Sequence, residues 1–191
     1  MARPQKDVNE KPALERIEEA FWALLAQNPY SNITIARLAR EAKVNHNTIY
    51  YYFDNIDDLA SKLFYKNIAP EIPQAILTFA STGDNQLTTL LENPEIMKRW
   101  QRTRLFIRGD SAYLMNCYKK CIIDTWFTAA AIEADDLTEL EQVVLNFIIS
   151  GLIAVIASPM VSAKPILLTQ LLERPIGKEM AAALSSLHKM S

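Results

Sequence analysis

The sequence predicts an all-α protein. Glycine accounts for only 4 of the 191 residues, and a protein rich in sheets and tight turns would use more. Half of the residues are hydrophobic and 22% are charged, which is enough apolar material for a packed core. Alanine, leucine, glutamate and lysine are frequent, and these residues favour helices. A chain of this length therefore predicts helices packed into one or two domains.

The first part of the chain predicts a small helical domain. Residues 1–9 are polar and are expected to form a flexible arm. Over residues 10–27 the apolar side chains recur at steps of three and four, as in an amphipathic helix. Thr34 lies where the N-cap of a second helix is expected, and a third short helix is expected over residues 45–52. These helices place the first domain at residues 10–55.

The remaining helices are expected in a larger domain, residues 56–191. The first of them begins near residue 56, and Pro70 and Pro73 are expected to kink or split it. Prolines, glycines and acidic pairs mark the later breaks. Helices are expected over residues 86–92, 94–108, 110–132, 136–158, 163–173 and 176–189.

Residues 33–53 have the pattern of a helix-turn-helix. This motif needs two short helices joined by a tight turn, a small residue where they touch and apolar residues on the inner face. Ala39 is the small residue. The inner apolar residues are Leu38, Val44, Ile49 and Phe53.

The outer face of the second helix of this motif is polar and aromatic. It carries Asn45, His46, Asn47, Thr48, Tyr50, Tyr51 and Tyr52. In a DNA-reading motif the start of this helix enters the major groove, where asparagine pairs with adenine and histidine donates to guanine. Hydroxyl groups suit phosphate oxygens, and the helix N-terminus at Thr34 can bind phosphate through its N–H groups. An ordinary solvated helix surface is the alternative.

Charge gives weaker support for DNA binding. Twenty basic against 22 acidic residues give a formal net charge of −2, which excludes a polycationic protein. Within residues 33–53 the basic side chains Arg37, Arg40 and Lys43 outnumber the single acid Glu41. In the arm, Arg3 and Lys6 either add DNA contacts or belong to an unstructured tail.

Residues 13–64 resemble the N-terminal DNA-binding domain of the TetR family of bacterial transcriptional repressors. The family pattern is close to AGVSxGTLYxYFxSKExL, and residues 42–59 read AKVNHNTIYYYFDNIDDL. The resemblance implies phosphate contacts from Thr34, Thr48 and Tyr52. It implies groove-facing positions for Asn45, His46, Asn47, Tyr50 and Tyr51.

Three positions depart from the family pattern. Lys43 replaces the glycine of the turn, Asn47 replaces a small residue, and Ile56 replaces a lysine that contacts phosphate. If the turn keeps a positive φ, lysine costs about 1 kcal/mol relative to glycine. The ammonium group of Lys43 could compensate by meeting a DNA phosphate.

The resemblance also implies a C-terminal domain that dimerises and binds a small effector. The sequence supports a homodimer independently, because residues 141–158 are apolar around most of the helix and need cover on nearly all sides. The expected interface comprises Phe147, Ile148, Gly151, Leu152, Val155, Met180, Leu184 and Leu187. The alternative is that both helices pack only within their own subunit.

The apolar stretch at residues 143–161 also raises the question of a membrane span. Polar residues and Pro159 interrupt it, and its cleanly apolar part is shorter than the ~20 residues that a bilayer requires. The polar first 20 residues lack the apolar core of a secretory signal. A buried or interface helix in a cytoplasmic protein is therefore expected.

The effector site is the weakest expectation. Its candidate residues are Trp100, Arg104, Tyr113, Cys117 and Trp126, with a plain hydrophobic core as the alternative. Cys117 and Cys121 share a helix face and are either a redox pair or two buried thiols. No histidine lies near them in the sequence, so no metal site is expected.

No catalytic motif is present, and no enzyme or cofactor is expected. The sequence predicts a sequence-specific DNA-binding transcriptional regulator. In this interpretation it is a homodimeric repressor that binds a near-palindromic operator in double-stranded DNA and that a small-molecule effector releases. The alternative is a helical ligand- or partner-binding regulator that has lost operator binding.

Overall fold

The computed structural model of the chain describes residues 11–108 and 110–189. Every regular element in these residues is helical, which confirms the predicted all-α class. The expected arm at residues 1–9, with Arg3 and Lys6, lies outside the described residues. The chain divides into two compact units, with the division between Leu63 and Phe64.

The first unit consists of three helices and the start of a fourth. They are α1 (Ala13–Gln27), α2 (Ile35–Glu41), α3 (His46–Tyr52) and α4 (Ile56–Asn67). Along α1, Ile17, Phe21 and Leu25 are fully buried at steps of four, and α1 packs against both α2 and α3. The predicted apolar stripe of the first helix is thus the core of this unit.

The division between the units falls inside α4, whereas the sequence placed a domain boundary before it. Leu59 and Leu63 are buried and belong to the first unit. The side chain of Asn55 accepts hydrogen bonds from the backbone N–H groups of Asp57 and Asp58, each at 2.9 Å, and so caps the start of α4. The first turns of α4 therefore complete the small domain instead of opening the larger one.

The second unit contains the later helices. They are α5 (Glu71–Thr82), α6 (Leu87–Glu92), α7 (Pro94–Arg104), α8 (Ala112–Ala130), α9 (Glu139–Ala157), α10 (Pro159–Ala163), α11 (Ile166–Glu173) and α12 (Pro175–Lys189). Polar side chains cap four of them by accepting bonds from first-turn N–H groups. These caps are Asn93, Ser111, Thr138 and Ser158.

The predicted proline breaks are confirmed, because α4 ends at Asn67 before Pro70 and α9 ends at Ala157 before Pro159, whereas one helix end differs from the prediction. Pro159 does not only end a helix, because it also occupies the first position of the short helix α10, where a missing N–H costs nothing. Pro73 lies in the first turn of α5 for the same reason. α7 ends at Arg104, and the chain tightens into a 3₁₀ turn over Leu105–Ile107.

The core of the second unit forms around α5, which packs against α8 and α12. The ring of Phe64 contacts the rings of Phe106 and Tyr118, with centroid separations of 4.8 and 5.1 Å. A second cluster of buried side chains includes Phe79, Trp100 and nearby leucines of α6 and α11. These two clusters enclose the cavity described below.

Helix α9 is unusual because it is apolar and yet largely exposed. By length and composition it is the one helix in the described part of the chain that could cross a membrane, with a mean hydropathy of 2.0 over its most apolar stretch. Only 22% of that stretch is buried. A helix of this composition needs cover over most of its surface, and its own unit supplies only part of it.

Candidate nucleic-acid interface and internal cavity

Helices α2 and α3 form a rigid two-helix platform. Leu38 of α2 and Ile49 of α3 are fully buried, and Phe53 is buried just after α3. Ala39, also buried, is the small residue that lets the two helices approach. Val44, the other predicted inner residue, is half-buried. The inner face is therefore apolar and closely packed, which fixes the direction of the outer face.

The predicted DNA-contacting residues lie mostly on the exposed side of this platform. Tyr50 is 56% exposed and Tyr51 is 81% exposed. Thr34, Lys43, Asn45, His46 and Asn47 are also exposed, whereas Thr48 and Tyr52 are half-buried. The ring of Tyr52 packs edge-on against that of Tyr51, with centroids 4.9 Å apart. Exposed aromatic and amide groups are thus presented together along one short helix.

Asn45 has a structural role that the sequence did not reveal. It is the N-cap of α3, and its side-chain oxygen accepts a 2.9 Å hydrogen bond from the backbone N–H of Asn47. Its amide oxygen is therefore engaged in holding the helix start. The side-chain NH₂ group of Asn45 is a hydrogen-bond donor that the cap does not use.

The turn between α2 and α3 has the geometry that normally requires glycine. Lys43 has a φ of 53°, in the left-handed region. The Val44 N–H donates to the carbonyl of Ala39 at 3.0 Å, and the Lys43 N–H donates to that of Arg40 at 3.3 Å. This pair of bonds is the Schellman ending of a helix, with lysine in the position where glycine prevails.

A basic side chain from α1 supports this turn. The guanidinium of Arg16 donates a 3.3 Å hydrogen bond to the Lys43 carbonyl. At the other end of α2, the Thr34 hydroxyl oxygen caps the helix by accepting from the Arg37 N–H at 3.2 Å. The Arg37 side chain donates to Asn28 at 2.7 Å, so this arginine is partly committed to the structure. Arg40 is exposed on α2.

The start of α4 is acidic, and Ile56 stands there in place of the family's lysine. Asp58 accepts hydrogen bonds from the Lys62 ammonium at 2.8 Å and from the Asp54 N–H at 3.0 Å. These bonds, the one from Lys62 first, hold the pKa of the Asp58 carboxyl below its ordinary range. Lys62 also lies over the ring of Phe53. This corner of the first unit is therefore an internal charge network.

The exposed face of α9 is the candidate dimer surface, and it differs from the predicted one. Phe147 is 80% exposed, and Leu140, Val143 and Gly151 are exposed on the same stripe, at steps of three and four. Leu140 and Val143 were not predicted. The signal that could have identified them in the sequence is their helical spacing from Phe147, at steps of three and four residues.

Six predicted interface residues do not belong to this exposed stripe. Ile148, Leu184 and Leu187 are buried within the chain. Leu152 and Met180 line the internal cavity, and Val155 packs against the second core cluster. The physical reason is that α9 is apolar on every side, so composition did not distinguish the inward stripe from the outward one.

The second unit encloses a cavity of about 100 Å³. Trp100 and Trp126 line it, as the sequence predicted for the effector site. The other lining residues are mostly aliphatic side chains of α5, α9, α11 and α12. Three polar residues also line it: Asn67, Thr103 and Tyr118.

The other three predicted cavity residues do not line it. Arg104 turns its Nε to the carbonyl of Ile156, at 3.1 Å. Tyr113 is exposed, near the start of α8. Cys117 lies on the face of α8 shared with Cys121, and neither residue forms a disulfide. The types of these residues suit a pocket, but residue type does not show which side of a helix faces inward.

Burial and a hydrogen bond make Cys121 an inert thiol. Its interaction with Cys117, followed by its burial, raises the pKa of the Cys121 thiol above its ordinary value. Within the described residues, no group of three or more His, Cys, Asp or Glu side chains is arranged to hold a metal ion.

Comparison with known proteins places the first unit in a family. Residues 17–63 match the family model described as bacterial regulatory proteins, tetR family. The match begins within α1 and ends at the last residue of the first unit. No curated protein and no solved structure matches the chain.

Proposed function

We propose that the chain is a repressor of the TetR family, because residues 17–63 match the tetR family model and form a helix-turn-helix. In this proposal a homodimer binds a near-palindromic operator, and a small molecule in the second unit releases it. The observation that carries the proposal is the exposed row of Asn47, Tyr50 and Tyr51 on a helix whose other side is fixed by buried apolar residues. Such a helix suits the major groove.

The contacts divide into those that read bases and those that position the helix. Asn47 and Tyr50 are on the exposed side of α3 and can reach base edges, and His46 can donate to guanine acceptors. Lys43 and the capped start of α2 at Thr34 suit phosphate oxygens. Half-buried Thr48 and Tyr52 fit phosphate contacts at the groove edge.

Selection from a pool of random DNA duplexes tests the proposal without a known operator. The wild-type chain should enrich a sequence with two related half-sites, about 34–36 Å or one helical turn apart. Tyr50→Ala or Asn47→Ala should then lose about 1–3 kcal/mol of affinity for the enriched duplex, measured by mobility shift at a stated salt concentration. Tyr113→Ala, an exposed tyrosine in the second unit, is the matched control.

Two results would contradict the proposal. Unchanged affinity in both the Tyr50 and Asn47 variants would remove the groove assignment. Enrichment of no sequence at all, with no duplex bound at low salt, would favour the alternative of a helical regulator that has lost operator binding.

The stripe of exposed apolar residues on α9 supports the homodimer. Leu140, Val143 and Phe147 expose large apolar side chains to solvent in a single chain, and a second copy of α9 would cover them. Gly151 on the same stripe has no atom near its would-be side chain, which leaves room for a partner backbone. Dimerisation through this face also accounts for the apolar helix in a cytoplasmic protein.

Charge insertion on this face should dissociate the dimer. Phe147→Glu places a carboxylate on both sides of a two-fold interface, and each copy also loses a phenylalanine whose burial contributes about 1.5–3 kcal/mol. Sedimentation velocity should show monomers for this variant and dimers for Met160→Glu, which changes an exposed apolar residue on α10. A dimer that persists in the Phe147 variant would reject this interface.

The effector would act through differential affinity. A ligand that binds one conformer of the second unit better than another shifts the population towards it, and the affinity ratio sets the coupling to DNA. We propose that the favoured conformer holds the two recognition helices at a separation that no longer fits successive major grooves.

A further inference from the structure

The cavity of the second unit has a mainly apolar lining with a few hydrogen-bonding groups. Its lining includes no charged side chain. Most of it is aliphatic, and its polar groups are two tryptophans, Asn67, Thr103 and Tyr118. The chemistry of any occupant is therefore set by a few hydrogen-bonding groups in an apolar enclosure.

The two tryptophans carry the inference. Trp100 is 6% exposed and Trp126 is 2% exposed, and both line the cavity. The Nε1 atoms of both indoles are buried and have no hydrogen-bond acceptor among the described residues. An indole N–H can only donate, and buried donors in native proteins are nearly always paired. Both donors belong to residues that line the cavity, so an occupant that carries an acceptor can pair with one of them.

Two of the other polar lining groups form hydrogen bonds that do not involve the two indoles. The Thr103 hydroxyl donates within α7 to the carbonyls of Arg99 and Trp100, at 3.1 and 3.2 Å. The side-chain oxygen of Asn67 accepts from Arg102 at 3.2 Å. Burial raises the pKa of the Tyr118 phenol, which keeps it neutral. None of these groups supplies the acceptor that the indoles lack.

We infer that the cavity binds an uncharged, mainly apolar molecule that presents a hydrogen-bond acceptor, such as a carbonyl oxygen, to the indole N–H of Trp100 or Trp126. A carboxylate or phosphate would lose its hydration without gaining an opposite charge from the lining. Arg102 and Arg104 are outside the lining, and they donate to the Asn67 side-chain oxygen and to the Ile156 carbonyl. That this molecule is the effector rests on the proposed function, whereas the binding chemistry of the cavity does not depend on it.

A matched set of small probes tests this chemistry. Acetophenone carries a carbonyl, cumene has a methyl group in place of the carbonyl oxygen, and benzoate has nearly the same shape with a negative charge. Indole N–H signals of ¹⁵N-labelled tryptophan report binding directly in the full chain. Each of the three signals is assigned by a Trp→Phe substitution, and Trp22, in the first unit, serves as the internal control.

Acetophenone should move the indole proton signal of Trp100 or Trp126 downfield and leave that of Trp22 in place. Cumene should bind without a downfield shift, and benzoate should bind at least tenfold more weakly than acetophenone. In the Trp→Phe variant of the shifted indole, the preference for acetophenone over cumene should fall about fivefold, the equivalent of one hydrogen bond. Trp22→Phe should leave that preference unchanged.

Three outcomes would overturn the inference. They are benzoate binding as tightly as acetophenone, acetophenone binding with no shift of either cavity indole, and no binding by any probe. The wild-type spectra decide the matter even if a tryptophan variant fails to fold. Because no DNA is present, a failure here is separate from a failure of operator binding.

Discussion

Replacing Lys43 by glycine tests how the turn of the helix-turn-helix is held. Lys43 has a φ of 53° and closes a Schellman ending whose two hydrogen bonds span 3.0 and 3.3 Å. The Lys43→Gly variant keeps both bonds, because they involve backbone groups only. It removes the close approach between a side-chain Cβ and the following carbonyl oxygen, which is what makes this conformation costly.

The expected gain is small but has a definite sign. A non-glycine residue in the left-handed region costs about 1–2 kcal/mol. Glycine also gives the unfolded chain more freedom, which costs about 0.4–1 kcal/mol of stability. The net stabilisation of the first unit should therefore be about 0.5–1 kcal/mol, or roughly a two- to fivefold change in its opening equilibrium.

Hydrogen exchange of the α3 amides measures this quantity within the full chain. Their protection should rise by that factor in Lys43→Gly. Lys43→Ala is the matched control, since it removes the ammonium but retains Cβ, and its protection should stay near that of the wild type. Equal protection in the glycine and alanine variants would refute the reasoning. In operator binding, both variants should lose any phosphate contact equally.

Three further perturbations test other parts of the structure. Asp58→Asn should lower the free energy of unfolding at neutral pH and match the wild type in strong acid. A carboxyl whose pKa is lowered in the folded state stabilises the fold above its ordinary pKa of 3.8 and loses that effect as the pH falls. Urea unfolding midpoints across the pH range measure this difference. Iodoacetamide at mildly alkaline pH should modify Cys117 before the buried Cys121, whose thiol pKa is raised. Mass spectrometry measures the order of modification, and the opposite order would contradict this prediction. Gly177→Ala should destabilise the second unit by about 1–3 kcal/mol, because a Cβ there would lie 2.1 Å from the Leu171 carbonyl oxygen. Gly151→Ala, with open space around it, should not destabilise the single chain, and urea unfolding of both variants compares them.

The resemblance of residues 17–63 to the tetR family model and the two-helix platform could both be predicted from the sequence, because both depend on local patterns. Leu38, Ile49 and Phe53 had to point inward for α2 and α3 to pack, so the remaining residues of α3 had to point outward. Thr34 was predictable as a cap because capping involves a bond to a backbone group three residues away. The role of Asn45 as a second cap was missed because the same residue type also suits base contacts.

The second unit was less predictable because its arrangement depends on distant residues. α9 is apolar on all sides, so only its neighbours α8 and α12 decide that Ile148 is inside and Phe147 outside. The cavity draws its lining from helices far apart in sequence, and Asn67 and Thr103 have no local feature that marks them. Trp100 and Trp126 were found because large aromatic residues dominate such sites.

The unfilled space in the second unit also bears on how long the protein survives. Atoms around a void forgo attractive contacts that an occupant would restore. A molecule that binds only the folded chain raises the free energy of unfolding by about 2.7 kcal/mol at a concentration one hundred times its Kd. The melting temperature rises as a result. Since cellular proteases remove the unfolded fraction, occupancy would lengthen the lifetime of the protein. If the occupant is the proposed effector, its binding would also leave more regulator in the cell, ready to return to DNA when the effector is consumed.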